Sequence, residues 1–168
     1  AHGFPGGVRG PAAGQGGWDL VLHDAFSPAH CPQLWSLEFL GQLGQALKPH
    51  GRLLTYCSAA AVRWSLRELG LELASLAPRS NPSASPGAPG QPPGAPGPSE
   101  AAASPTQPWS DGTVASPRPL GPDPSGLLRP LSPMEQDHLS SRAAEPYRDP
   151  TGQAPAAAIL LARRQAQA

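Results

Sequence analysis

The uneven distribution of proline and glycine constrains this chain more than any other feature. Of its 168 residues, 24 are proline and 19 are glycine, a combined share at which disorder becomes the default expectation. Residues 78–130 hold 15 of these prolines and seven of the glycines, whereas residues 18–77 hold only three and four. The sequence therefore predicts a folded segment beside a segment that cannot form a packed core.

Composition divides the chain into four parts. Residues 1–17 are a glycine-rich, irregular lead-in, and residues 18–77 have the composition of a globular core. Residues 78–108 are a Pro/Gly/Ala/Ser-rich insert that we expect to be disordered. Residues 109–168 contain further ordered pieces. PxxP matches in the insert leave open a proline-recognising partner, but such matches arise often by chance, and a passive insert is the simpler interpretation.

Charge and cysteine content exclude several classes of protein. Twelve basic residues balance twelve acidic ones, so the totals show no nucleic-acid footprint. No apolar run reaches the roughly 20 residues of a membrane span, and two cysteines are too few for a disulfide scaffold. We therefore expect a cytoplasmic protein without membrane contact. His23, His30 and Cys31 lie close together in sequence, but their spacing matches no zinc motif, so no metal is expected.

Short apolar runs alternate with helix signals in the folded segment. Strands are predicted at 18–23, 52–56 and 71–76. Ser36 and Ser58 are placed to cap the two intervening helices, the first of which should end at Lys48-Pro49-His50-Gly51. This order predicts a parallel, doubly wound α/β sheet.

Ligands in such sheets bind beyond the carboxyl ends of the strands. Asp24 follows the first predicted strand directly, and Cys57-Ser58 follows the second. Three strands form only half of a typical sheet and leave one edge bare. The pattern thus predicts further sheet before Trp18.

Three more elements are predicted after the insert. Residues 112–116 have the character of a short strand. Ser132, Pro133 and Glu135 form a helix-start signature, which predicts a helix over about 133–143. The apolar run 156–162 has the length of a final strand.

The order of residues in 24–73 resembles the MnmC-type tRNA methyltransferase domain. That family carries an Asp-Ala/Gly-Phe-Ser/Ala-Pro signature after a strand, Pro-x-x-Trp before a helix, Lys-Pro-Gly-Gly, and a Thr-Tyr/Phe-Ser segment entering an arginine-containing helix. Residues 130–150 are also similar to the C-terminal part of a bacterial branch. The matching positions in 24–73 are Asp24, Phe26, Pro28, Pro32, Trp35, Lys48, Pro49, Gly51, Thr55, Tyr56, Ser58, Val62 and Arg63.

The resemblance implies a class I S-adenosylmethionine-dependent methyltransferase with a Rossmann-like sheet, of which this chain would hold the C-terminal half. S-adenosylmethionine would be the co-substrate and tRNA the partner. The complete enzymes methylate 5-aminomethyl-(2-thio)uridine at the tRNA wobble position. Some members are fused to a flavin-dependent oxidoreductase module, and nothing in this sequence shows one.

The resemblance also implies roles for individual residues. Asp24 would accept the proton of the attacking amine or orient its lone pair, and it would border the cofactor. Trp35 is better explained as a packing anchor at the entry of a helix than as a platform on which a base stacks. The remaining implied contacts are Phe26 and Tyr56 with the cofactor, Pro28, Trp35 and Ser58 with the substrate, and Arg63 with a phosphate.

One departure bears on activity. The glycine-rich turn that binds the cofactor must follow a strand and open a helix. Gly14-Gln15-Gly16-Gly17 instead precedes a predicted strand. We therefore expect the chain alone to bind S-adenosylmethionine weakly and to be inactive. Two alternatives remain: a methyltransferase fold that acts on another amine, and a non-catalytic interaction protein that uses its proline-rich segment.

Overall fold

The computed structural model describes residues 17–77 and 111–168. The predictions for residues 1–16, and those for the insert with its PxxP matches, lie outside this part of the chain. None of the helices in the described part is both long and apolar enough to cross a membrane. The described strands are β1 (Trp18–Leu22), β2 (Leu47–Thr55), β3 (Glu72–Leu76), β4 (Gly112–Ser116) and β5 (Leu128–Arg129), and the helices are α1 (Leu37–Ala46), α2 (Ala60–Glu68), α3 (Pro133–His138) and α4 (Ala156–Ala166), with 3₁₀ turns at Pro32–Trp35 and Arg142–Ala144.

The five strands form one mixed sheet in the order β1-β2-β4-β3-β5. Only β1 and β2 pair in parallel, and β4 lies antiparallel between β2 and β3. The prediction of an α/β fold is therefore confirmed, but the prediction of an all-parallel sheet is wrong. Since β4 runs against both of its neighbours, β1, β2 and β3 still point the same way. Their carboxyl ends consequently meet at one edge of the sheet.

The apolar run near the C-terminus is a helix, α4, and not the predicted strand. Ala156, Ala157 and Ala158 open it, and alanine has the strongest helix propensity of all residues. Arg163 and Arg164 lie in its last turn, where positive charge favours the helix. Ile159 is the helix residue that is buried against the core.

Strand β2 begins five residues earlier than predicted. Trp18 pairs with Leu47, but Leu20 pairs with Arg52, so the register shifts between these pairs and absorbs Pro49-His50-Gly51 as an irregularity. A β-carbon on Gly51 would lie 2.5 Å from the carbonyl oxygen of Trp18. Glycine is needed here because the two backbones approach closely.

The helix starts show which local signals were sufficient. Ser36 caps α1 through its hydroxyl, which accepts the Phe39 N–H. Ser132 and Glu135 form the predicted capping box, but α3 ends at His138, well before residue 143. Ser58 does not cap α2. Ala59 occupies the N-cap position, so α2 begins one residue later than predicted.

Strand β1 is the last strand at one edge of the described sheet. Its Trp18, Leu20 and Leu22 are exposed by 59%, 51% and 69%. Val21 of β1, which alternates with these side chains, packs against the core. The core lies between the sheet and α1, α2 and α4, where Trp35, Leu40 and Ile159 pack with Leu53 and Leu66.

Candidate active site

The three strands that point the same way end at a common groove. It has a volume of about 440 Å³. Its wall is mostly apolar, and its polar groups come from the ends of the strands. The lining residues are Leu22, His23 and Asp24 from the end of β1, Leu54, Thr55 and Tyr56 from β2, Leu76 and Ala77 from β3, and Asp111 and Leu127 from the segments that precede β4 and β5.

Asp24 lies where the sequence predicted it, directly beyond β1 on the groove. The backbone N–H of His23 donates to the Leu54 carbonyl at 2.8 Å, which extends the β1–β2 pairing up to Asp24. A carboxylate in an apolar groove is suited to bind an ammonium group or to take a proton from an amine.

Asp111 is a second carboxylate on the same groove, and the sequence interpretation missed it. It directly precedes β4, and its N–H donates to the Leu76 carbonyl at 3.1 Å. Its place at this sheet edge follows from the antiparallel insertion of β4. No local pattern in the sequence predicts that β4 pairs between β2 and β3.

Tyr56 and Trp35 both contact the loop that carries Asp24. The Tyr56 hydroxyl donates to the Ala25 carbonyl at 2.7 Å, and the Trp35 indole N–H donates to the Phe26 carbonyl at 2.6 Å. Trp35 is fully buried, which agrees with a packing anchor and leaves its ring no open face for a substrate. The Phe26 side chain is 81% exposed and is not among the residues that line the groove.

His23 is buried beneath this loop. Its ring centroid lies 4.4 Å from that of Trp35 and 5.9 Å from that of Phe39. Burial lowers the pKa of His23, although a backbone hydrogen bond with Leu34 and the charge of Asp24 act in the opposite direction. His23 Nε2 has no hydrogen-bond partner among the described residues. No local pattern in the sequence predicts this enclosed imidazole.

Arg63, predicted as a phosphate contact, is enclosed in the core. Its guanidinium donates to Glu135 Oε1 at 2.9 Å, to the Thr113 hydroxyl at 2.8 Å and to the Ser75 hydroxyl at 3.1 Å. Glu135 also accepts from Arg129 at 2.9 Å. We call Arg63, Ser75, Thr113, Arg129 and Glu135 the buried ion cluster. It joins α2 and α3 to the sheet.

The pKa of Glu135 reflects this environment. Burial alone would raise it, but hydrogen bonds from the Ser132 backbone and from Arg63 outweigh burial and hold the pKa far below the ordinary value of 4.5. Glu135 is therefore ionised in the neutral range. The cluster holds an ion pair there and does not supply a proton.

The structure also locates Pro28 and Ser58, which were predicted to contact the substrate, and bears on a metal site and on Cys57. Pro28 and Ser58 lie on the loops that follow β1 and β2, at the groove edge of the sheet, but neither lines the groove. In the described part of the chain, no group of three or more His, Cys, Asp or Glu side chains is arranged to hold a metal. Burial raises the pKa of the Cys57 thiol, which is the reverse of what a reactive cysteine needs.

Within residues 17–77 and 111–168, all three connections from a strand into a helix lack glycine: residues 23–36 after β1, residues 56–59 after β2 and residues 130–132 after β5. Backbone turns that approach a cofactor closely depend on glycine. The described residues thus supply the carboxylates of the groove. Between their strands and helices they contain no glycine turn of the kind that binds a cofactor or a phosphate.

Residues 12–81 match the family of S-adenosyl-L-methionine-dependent methyltransferases. A tRNA 5-methylaminomethyl-2-thiouridine biosynthesis bifunctional protein MnmC from Ralstonia nicotianae is 42% identical over 55 residues, which are 33% of this chain and 8% of that protein. An uncharacterised protein of Methanocaldococcus jannaschii is 36% identical over 53 residues, 32% of this chain and 15% of the relative.

The crystal structure of MNMC2 from Aquifex aeolicus superposes with a TM-score of 0.63 at 28% identity, over 88% of this chain and 38% of the other. The chain thus spans well under half the length of each of these three proteins. S-adenosyl-L-methionine is the co-substrate that the matched family uses. Sequence, fold and family match agree that this chain is similar to S-adenosyl-L-methionine-dependent methyltransferases and resembles those of the MnmC type.

Proposed function

We propose that the groove binds the primary amine of a modified tRNA nucleoside, 5-aminomethyl-(2-thio)uridine at the wobble position, and presents it for methylation by S-adenosyl-L-methionine. The observation that carries the proposal is the position of Asp24, a carboxylate at the end of β1 on an apolar groove. The similarity to an MnmC protein, named for tRNA 5-methylaminomethyl-2-thiouridine biosynthesis, supports the choice of nucleoside.

The reaction requires a neutral amine, because only a free lone pair attacks the sulfonium methyl group. An aminomethyl group arrives at neutral pH mainly as an ammonium ion, which a carboxylate binds through charge-assisted hydrogen bonds. Asp24 would first take one proton from the bound ammonium group, directly or through water, which frees the nitrogen lone pair. With S-adenosyl-L-methionine bound, that lone pair would form the bond to the methyl carbon while the bond from sulfur to the methyl group breaks, leaving a methylated ammonium group and a neutral thioether.

We infer that the described residues supply the amine side of the site and hold S-adenosyl-L-methionine only weakly by themselves. The glycine-free connections after β1 and β2 support this division. Action on tRNA would place the protein in the cytoplasm. The rival function is methylation of a different amine, which the same groove chemistry would permit.

The proposal is tested by titrating the full chain with 5-aminomethyluridine and following its amide resonances by NMR. We expect shifts at Asp24, Tyr56 and Asp111 that uridine does not produce. Asp24→Asn should weaken binding by roughly ten- to a hundredfold, the worth of a hydrogen bond to a charged group. Asp19→Asn is the matched control, since Asp19 lies on β1 and pairs with Lys48 away from the groove.

Unchanged affinity in Asp24→Asn would refute the role of Asp24. Equal binding of simple alkylamines would favour the rival function over the wobble nucleoside. A separate titration with S-adenosyl-L-methionine checks the second inference, and micromolar binding to the chain would overturn it.

A further inference from the structure

The loop that follows β1 is held in two different ways along its length. Its second half closes on itself, since the N–H groups of His30 and Cys31 both donate to the Ser27 carbonyl, at 2.8 and 3.0 Å. Its first half carries Asp24. The next two carbonyls, those of Ala25 and Phe26, accept no backbone N–H from the described residues.

Two aromatic side chains bind those carbonyls instead. The Tyr56 hydroxyl, from the end of β2, donates to the Ala25 carbonyl at 2.7 Å. The Trp35 indole N–H, from the 3₁₀ turn that follows the loop, donates to the Phe26 carbonyl at 2.6 Å. Consecutive peptide units are thus held from two elements, and these units follow directly after Asp24.

The two donors are themselves fixed. The rings of Trp35 and Tyr56 meet edge to face with centroids 6.0 Å apart, a favoured aromatic geometry. The ring of His23 also packs against that of Trp35, with centroids 4.4 Å apart. Trp35 is fully buried. Loss of solvent around its hydroxyl raises the pKa of Tyr56, so the phenol remains a donor throughout the neutral range.

We propose that Tyr56 and Trp35 are positioning residues, which clamp the Ala25 and Phe26 carbonyls and thereby fix the direction of the Asp24 carboxylate in the groove. The inference rests on the proposed function of Asp24. It revises the role that the resemblance implied for both side chains, because their polar atoms bind the protein's own backbone. A carboxylate held in one direction loses little freedom when it binds an amine, which favours binding.

The test is Tyr56→Phe in the full chain, which removes the hydroxyl and keeps the ring. We expect the backbone of Ala25 and Phe26 to become more mobile, which lower order parameters from amide nitrogen relaxation would report. We also expect the affinity for 5-aminomethyluridine to fall about fivefold, the worth of one ordinary hydrogen bond. Tyr147→Phe is the matched control: Tyr147 is a buried tyrosine that packs under Arg163 and does not line the groove.

A merely structural role is separated by the double variant Asp24→Asn/Tyr56→Phe. If Tyr56 acts through Asp24, its loss adds nothing once the carboxylate is gone. An equal further loss in the double variant, or unchanged amine affinity in Tyr56→Phe, would overturn the inference. The single variant Asp24→Asn decides the proposed function separately, since that variant retains the clamp.

Trp35 is tested without substitution, because truncating so buried a ring endangers the fold. Its indole N–H should exchange slowly with solvent and give a resonance shifted by its hydrogen bond. Rapid exchange of that proton would remove Trp35 from the clamp.

Discussion

Arg63 and Glu135 form an ion pair that the protein encloses almost completely, with exposures of 2% and 4%. Such a pair is tolerated only when hydrogen bonds satisfy the remaining donors and acceptors. Here Thr113 and Ser75 bind the guanidinium, and the backbone N–H of Ser132 binds the carboxylate at 2.7 Å. The arginine therefore depends on Glu135 for its charge balance.

Glu135→Gln should destabilise the protein by about 3 kcal/mol, because it leaves a buried guanidinium without its carboxylate. Urea unfolding measures the change. Asp137→Asn is the control, since Asp137 is an exposed acid on the same helix; it should change stability by less than about 0.5 kcal/mol. Similar values for the two variants would show that the ion cluster contributes little.

At the scale of elements, helix α4 shows how helix propensity and side-chain packing decide between a strand and a helix when the length of an apolar run fits both. The run 156–162 has the length and apolarity of a strand, and that was the basis of the wrong prediction. The helix forms because three alanines open it, and because a helix lets Ile159 reach the core while Leu161 remains exposed. Alternation along a strand would instead have buried both or neither.

Ile159→Ala should cost about 3 kcal/mol in unfolding free energy, the usual range for a large core residue cut to alanine. Leu161→Ala is the matched control and should be nearly neutral. The comparison is made by thermal or urea unfolding. If Leu161→Ala proved the more damaging change, the assigned face of α4 would be wrong.

The sequence was informative at several local signals, although Ser58 and the run 156–162 misled it. Ser36 and the Ser132–Glu135 box mark helix starts through hydrogen bonds that span three residues. Asp24 was placed correctly because it directly follows an apolar strand. The position of Asp111 on the groove and the burial of Arg63 were not predicted, because both depend on pairings between residues far apart in the chain. Arg63 meets Glu135 72 positions later, and periodicity carries no such information.

At the scale of the whole molecule, the position of β4 determines what the proline-rich segment does to folding. Leu76 and Gly112 are directly paired neighbours in the sheet, although the whole insert separates them in sequence. The sheet therefore brings the two ends of the connection together, and the entropic cost of joining two such ends grows slowly with the number of residues between them.

Replacing residues 79–109 with a Gly/Ser linker of about six residues should raise the unfolding free energy by about 1 kcal/mol, roughly 0.6 for each halving of the connection. Urea unfolding measures this gain. A Gly/Ser linker of the original length is the control and should leave stability nearly unchanged. Loss of hydrogen-exchange protection in β4 on shortening would show that the insert contributes to the sheet.

The two ends of that connection, Ala77 and Asp111, both line the groove. A fluorescent protein spliced between them would be attached to the rim of the site at both of its own termini. Any ligand that rearranges the rim would then alter the strain on the attached reporter and its emission. The connection between β3 and β4 is thus a suitable location for an optical sensor of whatever ligand the groove binds.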